Sequence, residues 1–156
     1  MIRVEIPGRG LLVIEHLVLD FNGTMAKDGV LIPGVEERLN RLAGQLTVHV
    51  LTADTFGTGR EACRNIKAAV HLLEPGEGGS QKEKFINRLG AEQTVTVGNG
   101  ANDSLMLAAA ALGIIVLGPE GTSVRSLQSA DVVVTDINDG LDMLLHPKRL
   151  VATLRT

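Results

Sequence analysis

Leu17-Val18-Leu19-Asp20-Phe21-Asn22-Gly23-Thr24 is the stretch on which the fold turns. Its first three residues are apolar without a polar alternation, which suits a strand buried on both faces, as in a parallel sheet. The run stops at Asp20, and a glycine-containing loop follows. A carboxylate is thereby placed at the end of a buried strand.

On the N-terminal side, Ile2-Arg3-Val4-Glu5-Ile6 alternates like a half-exposed strand. Pro7-Gly8-Arg9-Gly10 has turn chemistry and Leu11 to Ile14 reads as the returning strand, so a hairpin is expected. On the C-terminal side, Pro33-Gly34 opens a helical pattern with Val35, Leu39 and Leu42 on one face. Leu46 to Leu51 is the next strand, Gly59 to Ala68 a helix, and Val70 to Leu73 a third strand. Ser80-Gln81-Lys82-Glu83 has capping-box spacing and predicts a helix start at Ser80, with Phe85, Ile86 and Leu89 inward. Strands at Thr94–Val97, Ile114–Leu117 and Val132–Val134 then alternate with helices at Asp103–Leu112, Ser123–Gln128, Leu141–Leu145 and Lys148–Leu154. Together these predict a single α/β domain over residues 1–156, three-layered and Rossmann-like, with a mainly parallel central sheet and an N-terminal β-hairpin. Crossovers in such sheets are right-handed, and ligands bind beyond the carboxyl ends of the strands.

Composition narrows the function classes. Apolar types make up 44% of the 156 residues and charged types 21%, enough for a packed core. Fifteen basic against 18 acidic residues give a net charge of −3, and three Phe with no Tyr or Trp leave little for base stacking. Nucleic acid is therefore not an expected partner. The lone Cys63 excludes an internal disulfide and a thiolate zinc cage. The longest uncharged stretch, Ser104 to Pro119, is shorter than the roughly 18 apolar residues of a membrane span and contains Gly113. Without a signal-peptide pattern at the start, a cytoplasmic protein with no membrane partner is the expectation. His16, His49, His71 and His146 share no ligand spacing and read as structural or exposed.

Four polar segments fall at predicted strand ends or loops: Asp20-Phe21-Asn22-Gly23-Thr24, Thr52-Ala53-Asp54, Ser80-Gln81-Lys82 and Gly98-Asn99-Gly100-Ala101-Asn102-Asp103. In order and spacing, from about Leu17 to Val134, they resemble the four motifs of the haloacid dehalogenase superfamily of phosphotransferases. Within it the chain looks most like small soluble proteins related to the catalytic domain of P-type ATPases. The resemblance implies that Asp20 is a nucleophile forming an aspartyl-phosphate, ionised at neutral pH and needing no base. Thr24, Thr52, Gly23 and Ala53 would hold the phosphoryl oxygens. Lys82 would neutralise the phosphoryl group; it shares a helix face with Phe85 and Ile86, whereas Lys84 falls on the solvated face. Mg²⁺ is the implied cofactor, with Asp20, the Asn22 carbonyl, Asp103 and Asn99 as its ligands and Asn102 as a supporting residue.

Two positions depart from that pattern. Most phosphatases of the superfamily carry Asp two residues after the nucleophile as general acid and base; here Asn22 stands there, and an amide cannot protonate a leaving alkoxide. Asn99 stands where the superfamily usually has a metal-binding Asp. Slow hydrolysis and weak Mg²⁺ binding are the expected consequences, with substrates of low leaving-group pKa (an acyl phosphate, a nucleotide β-phosphate, an aryl phosphate) suffering least. The alternative is a weakly catalytic or non-catalytic phosphate- or metal-binding domain for regulation or protein interaction. Asp28 and Asp54 are the nearby candidates for a substitute acid. Thr24 to Thr52 has room for a flap at Met25–Ile32 and one helix but not for a cap domain, so an open site is expected; the resemblance to capless members implies closure by homo-oligomerisation or by a macromolecular substrate. Gly118-Pro119-Glu120-Gly121 reads as a loop on the site rim.

Overall fold

In the computed structural model, which describes residues 1–53 and 58–156, the N-terminal segment forms the expected hairpin. β1 (Ile2–Ile6) pairs antiparallel with β2 (Gly10–Ile14), Ile2 opposite Ile14. Its alternation buries Ile2, Val4 and Ile6 and exposes Arg3 and Glu5.

β3 (His16–Asp20) lies inside a six-stranded parallel sheet, between β6 (Thr47–Thr52) and β8 (Thr94–Gly98). β7 (Ala69–Leu72) extends the sheet on the β6 side; β9 (Leu112–Val116) and β10 (Val132–Val134) extend it on the β8 side. The chain therefore runs outward from β3 in one direction, returns, and runs outward in the other. The ends of β3, β6 and β8 meet at that reversal, where α/β sheets bind ligands.

The uninterrupted apolar run in β3 has a direct cause. Leu17 and Leu19 enter the larger core with the hairpin, α1 (Val35–Leu42) and α6 (Ile137–Leu145). Val18 enters the opposite core with Leu51, Ile86 of α3 (Gly78–Leu89) and Met106 of α4 (Ser104–Ala109). Successive strand side chains point to opposite faces, so both faces are covered only if every residue is apolar. The Arg38 guanidinium pairs with both Asp142 oxygens, at 2.8 and 3.2 Å, and ties α1 to α6. After β3, β4 (Ala26–Lys27) and β5 (Val30–Leu31) form a short antiparallel flap. α2 (Thr58–Ala62), α5 (Val124–Leu127) and α7 (Lys148–Leu154) complete the elements. No described helix is long and apolar enough to cross a membrane.

Several expected boundaries move: the helix expected over Asp103–Leu112 ends at Ala109, β9 starts at Leu112 rather than Ile114, and α6 starts at Ile137 rather than Leu141. The helix predicted over Gly59–Ala68 stops at Ala62, because the Asn40 amide donates to the Asn65 carbonyl (3.0 Å) and accepts from the Lys67 N–H (2.8 Å). Those bonds hold the following backbone in turns. α3 begins at Gly78 rather than Ser80, and Ser80 is not its cap. Gly79 packs so closely on Asn102 that an added Cβ would lie 3.3 Å from the Asn102 carbonyl oxygen.

Three histidines without sequence spacing meet in space. His16, His49 and His71 lie on the α3 face of β3, β6 and β7. His49 Nδ1 is 3.2 Å from His71 Nε2, and its Nε2 is 3.4 Å from His16 Nδ1. Phe85 of α3 packs on His49 and His71, with ring centroids 5.5 and 4.6 Å apart. Burial, and then the neighbouring His71 and His16, push His49 down from its ordinary 6.5 to about 4. His71 is also lowered, by burial and by Arg88.

A base depressed in the folded state is one that the unfolded chain protonates first. His49's contribution is intact above pH 6.5 and is lost as pH falls toward about 4, a swing on the order of 3 kcal/mol. Urea unfolding at pH 7 and 4.5 should show that loss, and His49→Leu should remove most of it. An unchanged pH dependence in the variant would assign the acid lability elsewhere.

Candidate active site

β3 delivers Asp20 to the carboxyl edge of the sheet, opposite Leu51 of β6. The α3 register directs Lys82 inward to the same edge. Lys82 Nζ donates to Asp20 Oδ1 and to Asp103 Oδ1, both at 2.6 Å. Lys82 and Asp103 are fully buried, and Asp20 is 8% exposed. Lys84 is solvent-exposed.

Asp103 ends the 3₁₀ turn Ala101–Asp103 after β8. Its Oδ2 accepts from the backbone N–H groups of Asn99 (2.9 Å) and Gly100 (2.8 Å), so the carboxylate both fixes its own loop and faces Lys82. Gly98 makes the space: an added Cβ would lie 2.6 Å from Asp103 Cγ and 2.7 Å from its Cβ and Oδ2. Gly98→Ala should displace Asp103 and lower stability by roughly 1–3 kcal/mol in urea unfolding. Wild-type stability would show that the loop yields freely.

The loop after β3 is held from the other side. Thr24 is fully buried, and its hydroxyl lies 3.0 Å from Asn99 Oδ1 and 3.4 Å from Asp20 Oδ2. Gly23 has φ +78, which side chains rarely adopt, and an added Cβ would stand 2.5 Å from Asn99 Nδ2 and 2.8 Å from Glu120 Oε2. Asn99 Nδ2 donates to the Gly121 carbonyl, and the Asn99 carbonyl accepts from Ser123 N–H. The rim loop is thus fastened to Asn99. Glu120 Oε1 also accepts from the Asp28 N–H at the flap tip (2.9 Å), where Asp28 itself has φ +51.

Thr52 ends β6 buried, one residue past the partner of Asp20, and Ala53 follows it exposed. Asn22 and Asn102 are exposed at the same edge. Asp54 lies outside the described residues. The linking role of Asn99 was not legible beforehand; it depends on the rim loop folding back onto β8, for which the sequence offers only the turn residues Gly118 and Pro119.

No family model matches the chain. Among solved structures it is similar to the cobalt-bound deoxy-D-mannose-octulosonate 8-phosphate phosphatase YrbI of Haemophilus influenzae. The TM-score is 0.71 at 16% identity, over 92% of this chain and 94% of that one. The 3-deoxy-D-manno-octulosonate 8-phosphate phosphatase of Moraxella catarrhalis, in complex with magnesium ion, phosphate ion and its KDO molecule, aligns with a TM-score of 0.71 at 12% identity, over 89% and 90%. An apo phosphoserine phosphatase aligns with a TM-score of 0.65 at 15% identity, over 84% and 99%. The chain shares its fold with these phosphatases. It also belongs to one family with the uncharacterized protein MJ0073 of Methanocaldococcus jannaschii: 50% identity over 64 residues, 41% of this chain and 69% of that one. A second protein of that organism, MJ0072, is 46% identical over 39 residues, 25% of this chain and 89% of its own length.

Electrostatics set this site apart from the simple expectation for Asp20. Burial and then the negative charge of Asp103 push Asp20 up to about 7, against the lowering effects of Lys82 and of the Thr24 hydroxyl. Burial and Asp103 thus oppose the ionisation of Asp20, and Lys82 and Thr24 favour it. Burial alone would push the Lys82 ammonium down, but Asp20 and Asp103 outweigh it and the net shift is upward.

The donor set fits a hard divalent ion held lightly. Asp20 Oδ2 and Asn99 Oδ1 converge on the Thr24 hydroxyl. Among the described residues no group of three or more His, Cys, Asp or Glu is placed to cage a metal. Mg²⁺ commonly takes one or two carboxylates and completes its shell with water and substrate phosphate.

Proposed function

We propose that the chain is a Mg²⁺-dependent phosphohydrolase or phosphotransferase that acts through an aspartyl-phosphate on Asp20. The observation that carries this reading is the buried Lys82 ammonium, shared at 2.6 Å between Asp20 and Asp103 at the strand ends. A structural ion pair has no need of a strand-end position beside a loop of backbone donors, whereas phosphoryl transfer depends on positioned charge.

An Asp20 carboxylate oxygen forms a bond to phosphorus, and the leaving oxygen departs with the electron pair of the broken P–O bond. Water then attacks the aspartyl-phosphate, releasing phosphate and restoring the carboxylate. Lys82 holds the Asp20 oxygen in place and offsets the phosphoryl charge. Thr24, Thr52 and the backbone at Gly23 and Ala53 are assigned to the phosphoryl oxygens, and Asn102 to support of the Asp103 loop. Mg²⁺, held by Asp20, the Asn22 carbonyl and Asn99 with the charge of Asp103 behind them, would supply the positive charge that keeps Asp20 ionised. Asn22 offers no acid, so substrates with stable leaving anions and a long-lived phosphoenzyme are expected, in the manner of P-type ATPases. The substrate is a phosphorylated small molecule, an acyl phosphate or a nucleotide, handled in the cytoplasm.

The second reading, a phosphate-binding domain with little turnover, is favoured by the two amides at Asn22 and Asn99. Incubation with a labelled acyl phosphate and Mg²⁺, followed by acid quenching, separates the two. A hydroxylamine-labile label on wild type and none on Asp20→Asn supports catalysis. No label and no turnover across a phosphate-ester panel would establish the second reading.

A further inference from the structure

Beside the loop that follows Asp20 lies a half-open cavity of about 380 Å³. It starts at Gly23 and Thr24, runs under the flap and ends at Thr135 and Asp136 after β10. Its walls are largely hydrocarbon. Val30 and Ile32 come from the flap side, Val116 from the end of β9, and Ile137 from the start of α6. Val116 and Ile137 are nearly fully buried, whereas Val30 is 71% exposed. Lys27 contributes a cation at the flap. Asp136 is occupied in part, its Oδ1 accepting from the Asn138 N–H.

The exposed Val30 extends the apolar wall of the cavity to its solvent side. The volume lies in the range of small-molecule pockets, and apolar walls with few polar groups recognise the carbon skeleton of a ligand. The pocket is lined at one end by Thr24, whose hydroxyl is 3.4 Å from Asp20 Oδ2, so a group seated there is within reach of a phosphate bound at Asp20. Asn22 narrows the choice independently. Without a proton donor two residues after the nucleophile, the departing oxygen must be stable as an anion, and an oxygen bonded to an aromatic ring meets that condition.

We propose that this cavity binds the leaving group and that the substrate is a small aryl phosphate monoester. The proposal rests on the phosphatase reading given above. In the step it describes, the bond from phosphorus to an Asp20 oxygen forms as the bond to the aryl oxygen breaks. The aryloxide leaves with that electron pair beside Lys27 and takes its proton from solvent. A strongly polar sugar phosphate would leave the walls around Ile137 and Val116 against hydroxyl groups without partners.

The test compares 1-naphthyl phosphate with acetyl phosphate under Mg²⁺, alongside methyl NMR of the whole chain titrated with 1-naphthyl phosphate and with inorganic phosphate. Acetyl phosphate has the better leaving group but no ring. The expected result is a kcat/KM at least about 10-fold higher for the naphthyl ester, with Val30, Ile32 and Ile137 methyl signals moving only when the ring is present. Val30→Asp, at an exposed position, should lower the naphthyl-to-acetyl ratio about 10-fold. Equal or reversed preference, a ratio untouched by Val30→Asp, or methyl shifts that inorganic phosphate reproduces would overturn the proposal. A second copy of the chain filling the cavity would appear as concentration-dependent shifts of the same methyls without ligand, and would also overturn it. Ring-dependent shifts without turnover of any ester would refute the phosphatase reading while leaving the aromatic ligand class supported.

Discussion

Lys82→Met should cost roughly 3–5 kcal/mol in urea unfolding at pH 7 and abolish phosphoenzyme formation. The side chain is nearly isosteric, so packing around α3 is kept and only the ammonium is lost. What remains is Asp20 and Asp103, whose Oδ1 atoms both sat 2.6 Å from the missing nitrogen, in a pocket that water barely reaches. Asp103 keeps its two backbone donors, so the strain falls chiefly on Asp20, which burial and Asp103 already push up to about 7. Removing the lysine raises it further. A raised carboxyl favours the folded state while protonated and opposes it as pH climbs, so the variant should be least impaired in mild acid and most impaired above neutrality.

Adding Asp103→Asn to Lys82→Met should recover much of the stability and none of the activity. That outcome would separate the cost of an unpaired buried charge from the contribution of Lys82 to chemistry. Wild-type stability and turnover in the single variant would remove Lys82 from the site.

The parts of this site that could be read from sequence are those in which one local pattern carries the answer. The unbroken Leu17-Val18-Leu19 run requires two covered faces, and the structure supplies two cores. Lys82 precedes Ile86 by one helical turn and is buried; Lys84 follows the solvated face and is exposed. The hairpin alternates with a period of two, and its register follows. The features that escaped depend on residues far apart in the chain. Asn40 ends α2 from another helix, and Asn102 faces the glycines at which α3 begins. The three histidines align because β6 pairs with β7 and with β3 in registers that set His71 opposite Leu51 and His49 opposite Val18. The elevated Asp20 is likewise a property of enclosure. A motif names the carboxylate, but only the packed site shows that burial and Asp103 outweigh one lysine.

Asn22→Asp should raise turnover of alkyl phosphates by about 10²–10⁴-fold, with a smaller gain on aryl phosphates. Asn22 is exposed, its neighbour Gly23 already sets the loop, and the substitution changes one amide to a carboxyl without altering volume, so folding should be unaffected. An acid at this position can protonate a departing alkoxide, which is worth most where the leaving anion is least stable. The same group, once deprotonated, can draw a proton from the water that attacks the aspartyl-phosphate, so the phosphoenzyme should also become shorter-lived. Because the first step needs the proton and the second its absence, the alkyl-phosphate profile should gain an alkaline limb that wild type lacks.

Asn99→Asp is the informative contrast. It adds the same negative charge at a buried side chain that meets the Thr24 hydroxyl and the rim loop, instead of at the exposed position two residues past Asp20. Its effect should be tighter Mg²⁺ binding that is indifferent to the leaving group. A gain from Asn22→Asp that is equal for alkyl and aryl esters would mean that local charge, rather than a missing proton, limits the proposed reaction. No gain on either ester would count against proton transfer as the limiting deficit of the proposed reaction.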